Sequence, residues 1–307
     1  MYKGGSYIWH NGKVVNWEDA KVHVLSHALH YGSSVFEGIR LYNTPIGPKI
    51  FRLTDHIERL YNSAKIYRMQ IPFSEAEIVN GCKQIIRENK LENGAYIRPI
   101  AFRGYGEIGL APKDDHQIDV SIAAWEWGTY LGEDALKDGV EVCVSSWQRV
   151  APNTIPTMAK AGGNYLSSTL ISTEAKRLGF DEGIALSTDG KVSEGAGENL
   201  FMVKNNILFT PPASAGILTG ITRDTVIELS KNLGLTIKEE EINRESLYLA
   251  DEMFFTGTAA EITPIRSIDR IDVGDGKRGP ITEKLQERFF GLFNGNTEDS
   301  NNWLESI

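Results

Sequence analysis

The chain has 307 residues, 41% of them hydrophobic and 24% charged, with a formal net charge of −9. That length supplies about two ordinary domains, each with a core of its own, and the composition excludes wholesale disorder and a disulfide scaffold. The negative balance argues against nucleic acid or an acidic membrane as partner, so any anionic ligand must be caught by local basic groups.

"SYIWHNGKVV" predicts a hairpin, because Asn11-Gly12 tolerates the positive φ of a tight turn. "TDHIERLYNSAKIYR" sets Ile57, Leu60, Tyr61 and Ala64 at helical spacing, with Asp55 and Glu58 as a capping pair and Arg59 on the polar face. "SEAEIVNGCKQIIRENK" repeats the device, Ser74 and Glu77 capping a helix that buries Ile78, Val79, Cys82, Ile85 and Ile86. Two strands, "AYIRPIAFRG" and "QIDVSIAAWEW", complete a smaller N-terminal α/β domain expected over 1–125.

Around "WGTYLGEDALKDG" the pattern lapses, which marks an interdomain linker over 126–136. A larger domain over 137–307 then opens with the strand "GVEVCVSSW" and the helix "NYLSSTLISTEAKRLG", stopped by Gly179. Hairpins turn at Asp189-Gly190 and near Asn205-Asn206. The helix "ITRDTVIELSKNLG" is capped by Thr222 and closed by Gly234, and "DEMFFTGTAAEITPI" reads as strand, turn, strand. A last amphipathic helix, "ITEKLQERFFGLF", precedes a polar tail. The fold class expected is α/β, or α+β.

Cys82 and Cys143 lack any C-x-x-C or zinc spacing, which fits two reduced thiols and a cytoplasmic protein. "MYKGGSYIWHNG" has no apolar signal core, and no stretch approaches the roughly 20 apolar residues of a membrane span, so neither secretion nor insertion is expected.

The chemistry centres on "PTMAKAGGNYL", which sets Lys160 among small and apolar residues. Lys160 is either a solvated loop lysine or an amine whose burial lowers its pKa, so that it forms a Schiff base with a carbonyl. The second reading needs a pyridoxal phosphate site, with an acid for the ring nitrogen and amides plus a cation for the phosphate. "SEGAGENLF" offers Glu194 and Glu198 in a glycine-rich bend, "GILTGITRD" a helix N-terminus at Thr222, and "TGTAAE" a second small-residue turn. Taken singly, each has a plainer reading as a turn or a cap.

"YIRP" points Tyr96 and Arg98 to one face of a strand, which makes a carboxylate receptor. The alternative is a cross-strand salt bridge at an exposed edge, suggested by Pro99. His23, His27 and His30 have the spacing of metal ligands but no carboxylate or cysteine to complete a set, so a structural role is expected and no metal.

Together "HALHYGSSVFEGIR", "RLYNSAKIYR", "AYIRP", "APNTIPTMAKAGGNYL", "DEGIAL", "SEGAGENLF", "LTGITRD" and "GTAAEITPI" resemble the branched-chain amino acid aminotransferases, a class IV family of pyridoxal phosphate enzymes sharing the fold of D-amino acid aminotransferase. The motifs run in order from about Tyr7 to the last helix. The resemblance implies two domains with the cofactor between them, a barrel-like sheet in the larger one, and a homodimer at least, with a hexamer of dimers as the larger alternative.

It makes Lys160 the Schiff-base lysine, Glu194 the acid at the ring nitrogen, Arg59 the phosphate cation and Tyr165 the partner of the phenolic oxygen. Ile221, Thr222 and Thr258 would hold the phosphate, and Asn199, Leu218, Gly220 and Gly257 would complete the cofactor site. The amides of Thr258 and Ala259, with Tyr96, would take the substrate α-carboxylate. Phe36, Gly38, Arg40, Trp127, Tyr130 and Tyr165 would border the side-chain pocket, Tyr31 and Leu110 would reach it from the partner subunit, and Arg98 would meet the distal carboxylate of glutamate.

The reaction implied moves an amino group reversibly between L-leucine, L-isoleucine or L-valine and 2-oxoglutarate, Lys160 carrying the α-proton. A D-amino acid aminotransferase or an aminodeoxychorismate lyase on the same scaffold is the alternative, and a non-enzymatic small-molecule binder is a third.

Overall fold

A computed structural model of the chain describes residues 5–128 and 134–307. Tyr130 lies outside the described residues. The chain divides into two compact units, one of Met1–Gly128, Ala159–Gly163 and Asp299–Ile307, the other of Thr129–Met158 and Asn164–Glu298.

The first unit begins with the expected hairpin, β1 (Tyr7–His10) and β2 (Lys13–Asn16), and both turn residues take positive φ, 48° at Asn11 and 84° at Gly12. A short helix α1 (His27–Tyr31) and strands β3 (Ser34–Phe36), β4 (Ile39–Thr44) and β5 (Gly47–Phe51) follow. Then come α2 (Leu53–Ile66), α3 (Glu75–Asn89), β6 (Ala95–Arg103) and β7 (Ile118–Glu126). The capping box of Ser74 and Glu77 on α3 is formed as read. The cap expected on α2 is not: Arg52, at φ 53°, precedes the helix without a side-chain cap, and Asp55 accepts instead from Arg52 Nε at 2.5 Å.

Strand β6 lies inside the sheet, paired along its length with β7 and on its other side first with β4 and then with β3. Its period of two puts Ala95, Ile97 and Ala101 into the core with α2 and α3 and turns Tyr96 and Arg98 to the opposite face. Pro99 therefore does not mark an exposed edge. Its carbonyl accepts from Glu37 N at 2.9 Å, so its missing N–H falls where β6 exchanges β4 for β3 and no ladder bond is lost.

The second unit contains α4 (Ala135–Asp138), β8 (Val140–Val144), α5 (Tyr165–Arg177), β9 (Glu182–Leu186), β10 (Val192–Gly195), β11 (Asn199–Lys204), β12 (Ile207–Thr210), α6 (Ile221–Asn232) and β13 (Thr236–Glu239). It ends with α7 (Arg244–Leu247), β14 (Glu252–Gly257), β15 (Glu261–Ile268), β16 (Ile271–Asp272) and α8 (Pro280–Asn294). Its mixed sheet runs β10-β9-β8-β15-β14-β11-β12-β13, with β16 on β15. Phe255, Leu200, Ile265 and Val142 belong to its core. Helix α6 starts one residue before the predicted cap, with Gly220 as N-cap, and Thr222 is buried in its first turn.

Two stretches expected in the larger domain belong to the first unit. Ala159 and Ala161 join the first core, and Ala161 bridges to Val35. The polar tail ends as β17 (Leu304–Ser306), which pairs with Phe51–Lys49 of β5 and so completes an eight-stranded sheet, β17-β5-β4-β6-β7-β1-β2 with β3 on β6.

Candidate active site

In the first unit, sheet register gathers one set of predicted residues. Arg40 stands opposite Tyr96, Phe36 opposite Ile100, and Trp125 opposite Tyr96, so Phe36, Arg40, Tyr96, Arg98 and Trp125 share a face. The Tyr96 ring lies 5.3 Å from that of Trp125 and 5.0 Å from that of Trp127. Arg98 donates through Nη2 to the Tyr96 hydroxyl at 3.1 Å, and its guanidinium sits 4.7 Å from the Phe36 ring centroid. Its Nε is buried with no hydrogen-bond partner among the described residues. Such an orphaned donor is costly unless a ligand acceptor reaches it. Arg40 is more confined: it is buried, donates to the Gly128 carbonyl at 3.1 Å and lies over Tyr42.

Gly38 is required by close approach. A Cβ there would lie 1.8 Å from the Tyr96 hydroxyl oxygen. Gly38→Ala is expected to push Tyr96 aside and cost about 1–3 kcal/mol of stability, read from urea unfolding of variant and parent; a variant as stable as the parent would contradict the contact.

Lys160 is half-buried and held by its backbone. Its N–H donates to Ser63 Oγ at 3.0 Å and its carbonyl accepts from Phe36 N at 3.0 Å, while Nζ lies 5.0 Å from the Phe36 ring centroid. Arg59 is not on a solvated face. Its Nε and Nη2 fork onto the two oxygens of the fully buried Glu37 at 2.7 and 2.8 Å, and His56 Nδ1 meets the same carboxylate at 2.7 Å. Burial alone would raise the Glu37 carboxyl, but the Arg59 charge and the hydrogen bonds from Arg59 and His56 hold it well below the usual carboxylate range. Burial lowers the His56 imidazole, against the opposing Glu37 bond.

A lowered histidine has a defined linkage. Below the ordinary value of 6.5 the unfolded chain takes up the proton while folded His56 stays neutral, so stability falls with pH until the folded ring also protonates. The slope from one such group reaches about 1.4 kcal/mol per pH unit. Urea unfolding at about pH 7 and about pH 5.5 should show this loss in the parent and a flatter dependence in His56→Gln; equal slopes would remove His56 from the explanation.

In the second unit, Glu194 is buried at the end of β10. It accepts from Arg149 Nη2 at 2.8 Å, Asn199 Nδ2 at 3.0 Å and Leu218 N at 3.0 Å, and Asn199 Nδ2 also donates to the Leu218 carbonyl at 2.8 Å. Gly220 is packed against this group, since a Cβ there would lie 2.0 Å from Asn199 Oδ1. The two small-residue turns also meet: a Cβ on Gly257 would lie 3.6 Å from the Gly197 carbonyl oxygen. Thr256 Oγ1, two residues before Thr258, is buried with no partner among the described residues. Ala259 follows in the same turn, Thr222 and Ile221 open α6, and Tyr165 opens α5.

Sequence reading missed Glu37, His56 and Arg149. His56 and Arg59, three apart on α2, could have signalled a shared carboxylate, but nothing local in "SSWQRV" points Arg149 at Glu194. Of the histidines of "HVLSHALHYG", His27 bonds Ser33 Oγ at 2.7 Å and the Gly109 carbonyl at 2.8 Å, and His30 bonds the Val24 carbonyl at 2.9 Å. Among the described residues no group of three or more His, Cys, Asp or Glu is arranged to hold a metal ion.

The family model for amino-transferase class IV matches residues 34–268. The branched-chain-amino-acid aminotransferase of Escherichia coli (strain K12) is 57% identical over 305 residues, covering 99% of this chain and 98% of that protein. The chain belongs to the class IV branched-chain amino acid aminotransferases. The solved structure of the Escherichia coli branched-chain amino acid aminotransferase superposes with a TM-score of 0.97 over 98% of this chain and 99% of the other, at 57% identity. A second solved structure, the T.th. branched-chain amino acid aminotransferase with pyridoxamine 5'-phosphate, superposes with a TM-score of 0.94 at 45% identity, over 99% of both chains. The same T.th. aminotransferase has also been solved complexed with N-(5'-phosphopyridoxyl)-L-glutamate and with 4-methylvaleric acid. The two-sheet α/β fold of this chain is thus the fold of these aminotransferases.

Proposed function

We propose that the chain, with pyridoxal 5'-phosphate as cofactor, transfers the amino group reversibly between L-leucine, L-isoleucine or L-valine and 2-oxoglutarate. The observation that carries the substrate choice is Arg98, its orphaned Nε and guanidinium set on a face shared with Phe36, Tyr96 and Trp125. An aromatic face accepts a branched apolar side chain in one half-reaction, and the guanidinium takes the distal carboxylate of glutamate in the other. The ligands of the T.th. relative, a glutamate conjugate and a branched acid, support the same pairing.

The residues present suit the cofactor: an amine, a carboxylate held by three donors, a guanidinium, and a helix N-terminus whose N-cap Gly220 brings no side chain. Pyridoxal phosphate, when bound, supplies an aldehyde that takes an amine covalently and a ring that spreads the electron pair left by loss of the α-proton. Lys160 would hold the cofactor through its amine and move the α-proton. Glu194, held by Arg149 Nη2 at 2.8 Å, would face the ring nitrogen and favour its protonated form.

Arg59, Ile221, Thr222 and Thr258 hold the phosphate, and Tyr165 bonds the phenolic oxygen. Asn199, Leu218, Gly220 and Gly257 would complete the cofactor site. Thr258 and Ala259 amides with Tyr96 take the α-carboxylate, while Gly38, Arg40 and Trp127 border the side chain.

A homodimer completes this reading. Val24, Leu25, Leu29, Tyr31, Tyr105 and Leu110 are exposed, and Tyr105 bridges to Ser26 while the Gly109 carbonyl bonds His27 Nε2, which sets residues 105–109 beside α1. Tyr31 and Leu110, 41% and 88% exposed, supply the partner's site from there. Among the described residues no helix is long and apolar enough to cross a membrane. The free, buried Cys82 and Cys143 support a cytoplasmic location.

The test is turnover by the purified protein. L-leucine with 2-oxoglutarate should yield L-glutamate; reaction with D-alanine or aminodeoxychorismate and none with L-leucine would overturn the proposal.

A further inference from the structure

The phosphate cation assigned above is not an independent side chain. His56, Arg59 and Ser63 lie at i, i+3 and i+7 on α2 and so share one face. Two of them seize the Glu37 carboxylate, and the third accepts from the Lys160 N–H at 3.0 Å. Glu37 is itself pinned, its N–H donating to the Pro99 carbonyl at 2.9 Å, while the preceding residue, Phe36, donates to the Lys160 carbonyl at 3.0 Å. The Glu37 side chain is 0% exposed and that of Arg59 13%.

We propose that Glu37 is a positioning residue for the phosphate of the cofactor: anchored by His56 and by β6, it clamps the Arg59 guanidinium by one edge and so fixes the direction of its remaining donors. A guanidinium has five N–H donors in a rigid plane, and the fork engages Nε and Nη2. Clamping that edge removes the rotamer freedom that a long arginine side chain would otherwise lose on meeting the phosphate. His56 Nδ1 holds Glu37 Oε2, the oxygen that also takes Nη2, which stops the carboxylate from rotating away with Arg59. Because Ser63 Oγ ties the same helix face to the Lys160 backbone, the cation and Lys160 keep a fixed separation.

The clamp makes a prediction opposite in sign to simple electrostatics. Glu37 neutralises much of the Arg59 charge, so if charge alone mattered, removing Glu37 would tighten binding of a dianionic phosphate. If Glu37 acts by positioning, its removal weakens it.

The inference rests on the assignment of Arg59 to the phosphate, and the experiment separates the two. Apoprotein of the parent, Glu37→Gln, His56→Gln and Arg59→Gln is titrated with pyridoxal phosphate and with pyridoxal, which lacks the phosphate, and the phosphorus NMR shift of the reconstituted proteins is recorded. Glu37→Gln should lose about 10- to 100-fold in affinity for pyridoxal phosphate, with a displaced phosphorus resonance, and His56→Gln about 3- to 10-fold; pyridoxal affinity should stay within about twofold in both.

Unchanged or tighter pyridoxal phosphate binding by Glu37→Gln, or equal losses for both ligands, would overturn the positioning role. Should Glu37→Gln fail to fold, His56→Gln decides alone, a phosphate-selective loss upholding the role and none overturning it. Arg59→Gln with undiminished phosphate-selective affinity would overturn the assignment of Arg59 itself and the clamp with it.

Discussion

Lys160→Ala is expected to lose leucine transamination by at least about 10⁴-fold, because in the proposed reaction one side chain both carries the cofactor and moves the α-proton. The fold should survive. Lys160 is held through its backbone, by Ser63 Oγ and Phe36 N, and alanine keeps both bonds. What alanine forfeits includes the contact of Nζ with the Phe36 ring. The check is steady-state turnover beside a thermal melt, with borohydride reduction to ask whether the cofactor is still fixed to the chain. Turnover at the parental rate would sink the assignment; inactivity with a collapsed melt would indicate a structural role.

Glu194→Gln should be the next most damaging change, lowering kcat by about 10²- to 10³-fold while KM for leucine moves much less. Glutamine matches the volume and still accepts from Asn199 Nδ2 and Leu218 N. It leaves the buried Arg149 facing a neutral amide, and it no longer favours a protonated ring nitrogen. Pre-steady-state kinetics with L-leucine reads the proton-transfer step directly. An unchanged rate of that step would mean that Glu194 only supports the loop.

The legible parts of this chain were those written in local pattern. The Asn11-Gly12 turn, the Ser74 capping box, the strands of "AYIRPIAFRG" and "QIDVSIAAWEW", and the small-residue setting of Lys160 all depend on neighbours within a few positions. Where distant residues compete, local reading slipped. Asp55 was expected to cap α2 but is taken by Arg52, and Gly220 displaces Thr222 as cap of α6 because Asn199 packs where any side chain would stand.

Pro99 suggested an edge because its missing donor is visible in sequence, whereas the change of partner from β4 to β3 that absorbs it is not. The polar tail gave no sign of pairing with β5, and the boundary drawn at 126–136 could not show that Ala159–Gly163 packs with the first unit.

The site shows the same division. The lysine, the acid and the glycine turns stand in recognisable motifs, while Arg149, which holds Glu194, and Glu37, which holds Arg59 and His56, reach their partners only by tertiary contact. Register removes the exposed-edge reading of "YIRP". Tyr96 and Arg98 share the face of Phe36 and Trp125, and Arg98 reaches the Tyr96 hydroxyl, a partner on its own strand, in place of the cross-strand carboxylate that an edge would have offered.

The most direct test of the central claim, that Lys160 holds a cofactor which exchanges amino groups, is the visible spectrum of the purified protein supplied with pyridoxal phosphate. The expected result is a yellow protein whose absorbance shifts on adding L-leucine or L-glutamate and returns on adding 2-oxoglutarate. A protein that stays colourless, or a yellow one indifferent to both amino acids, would contradict it.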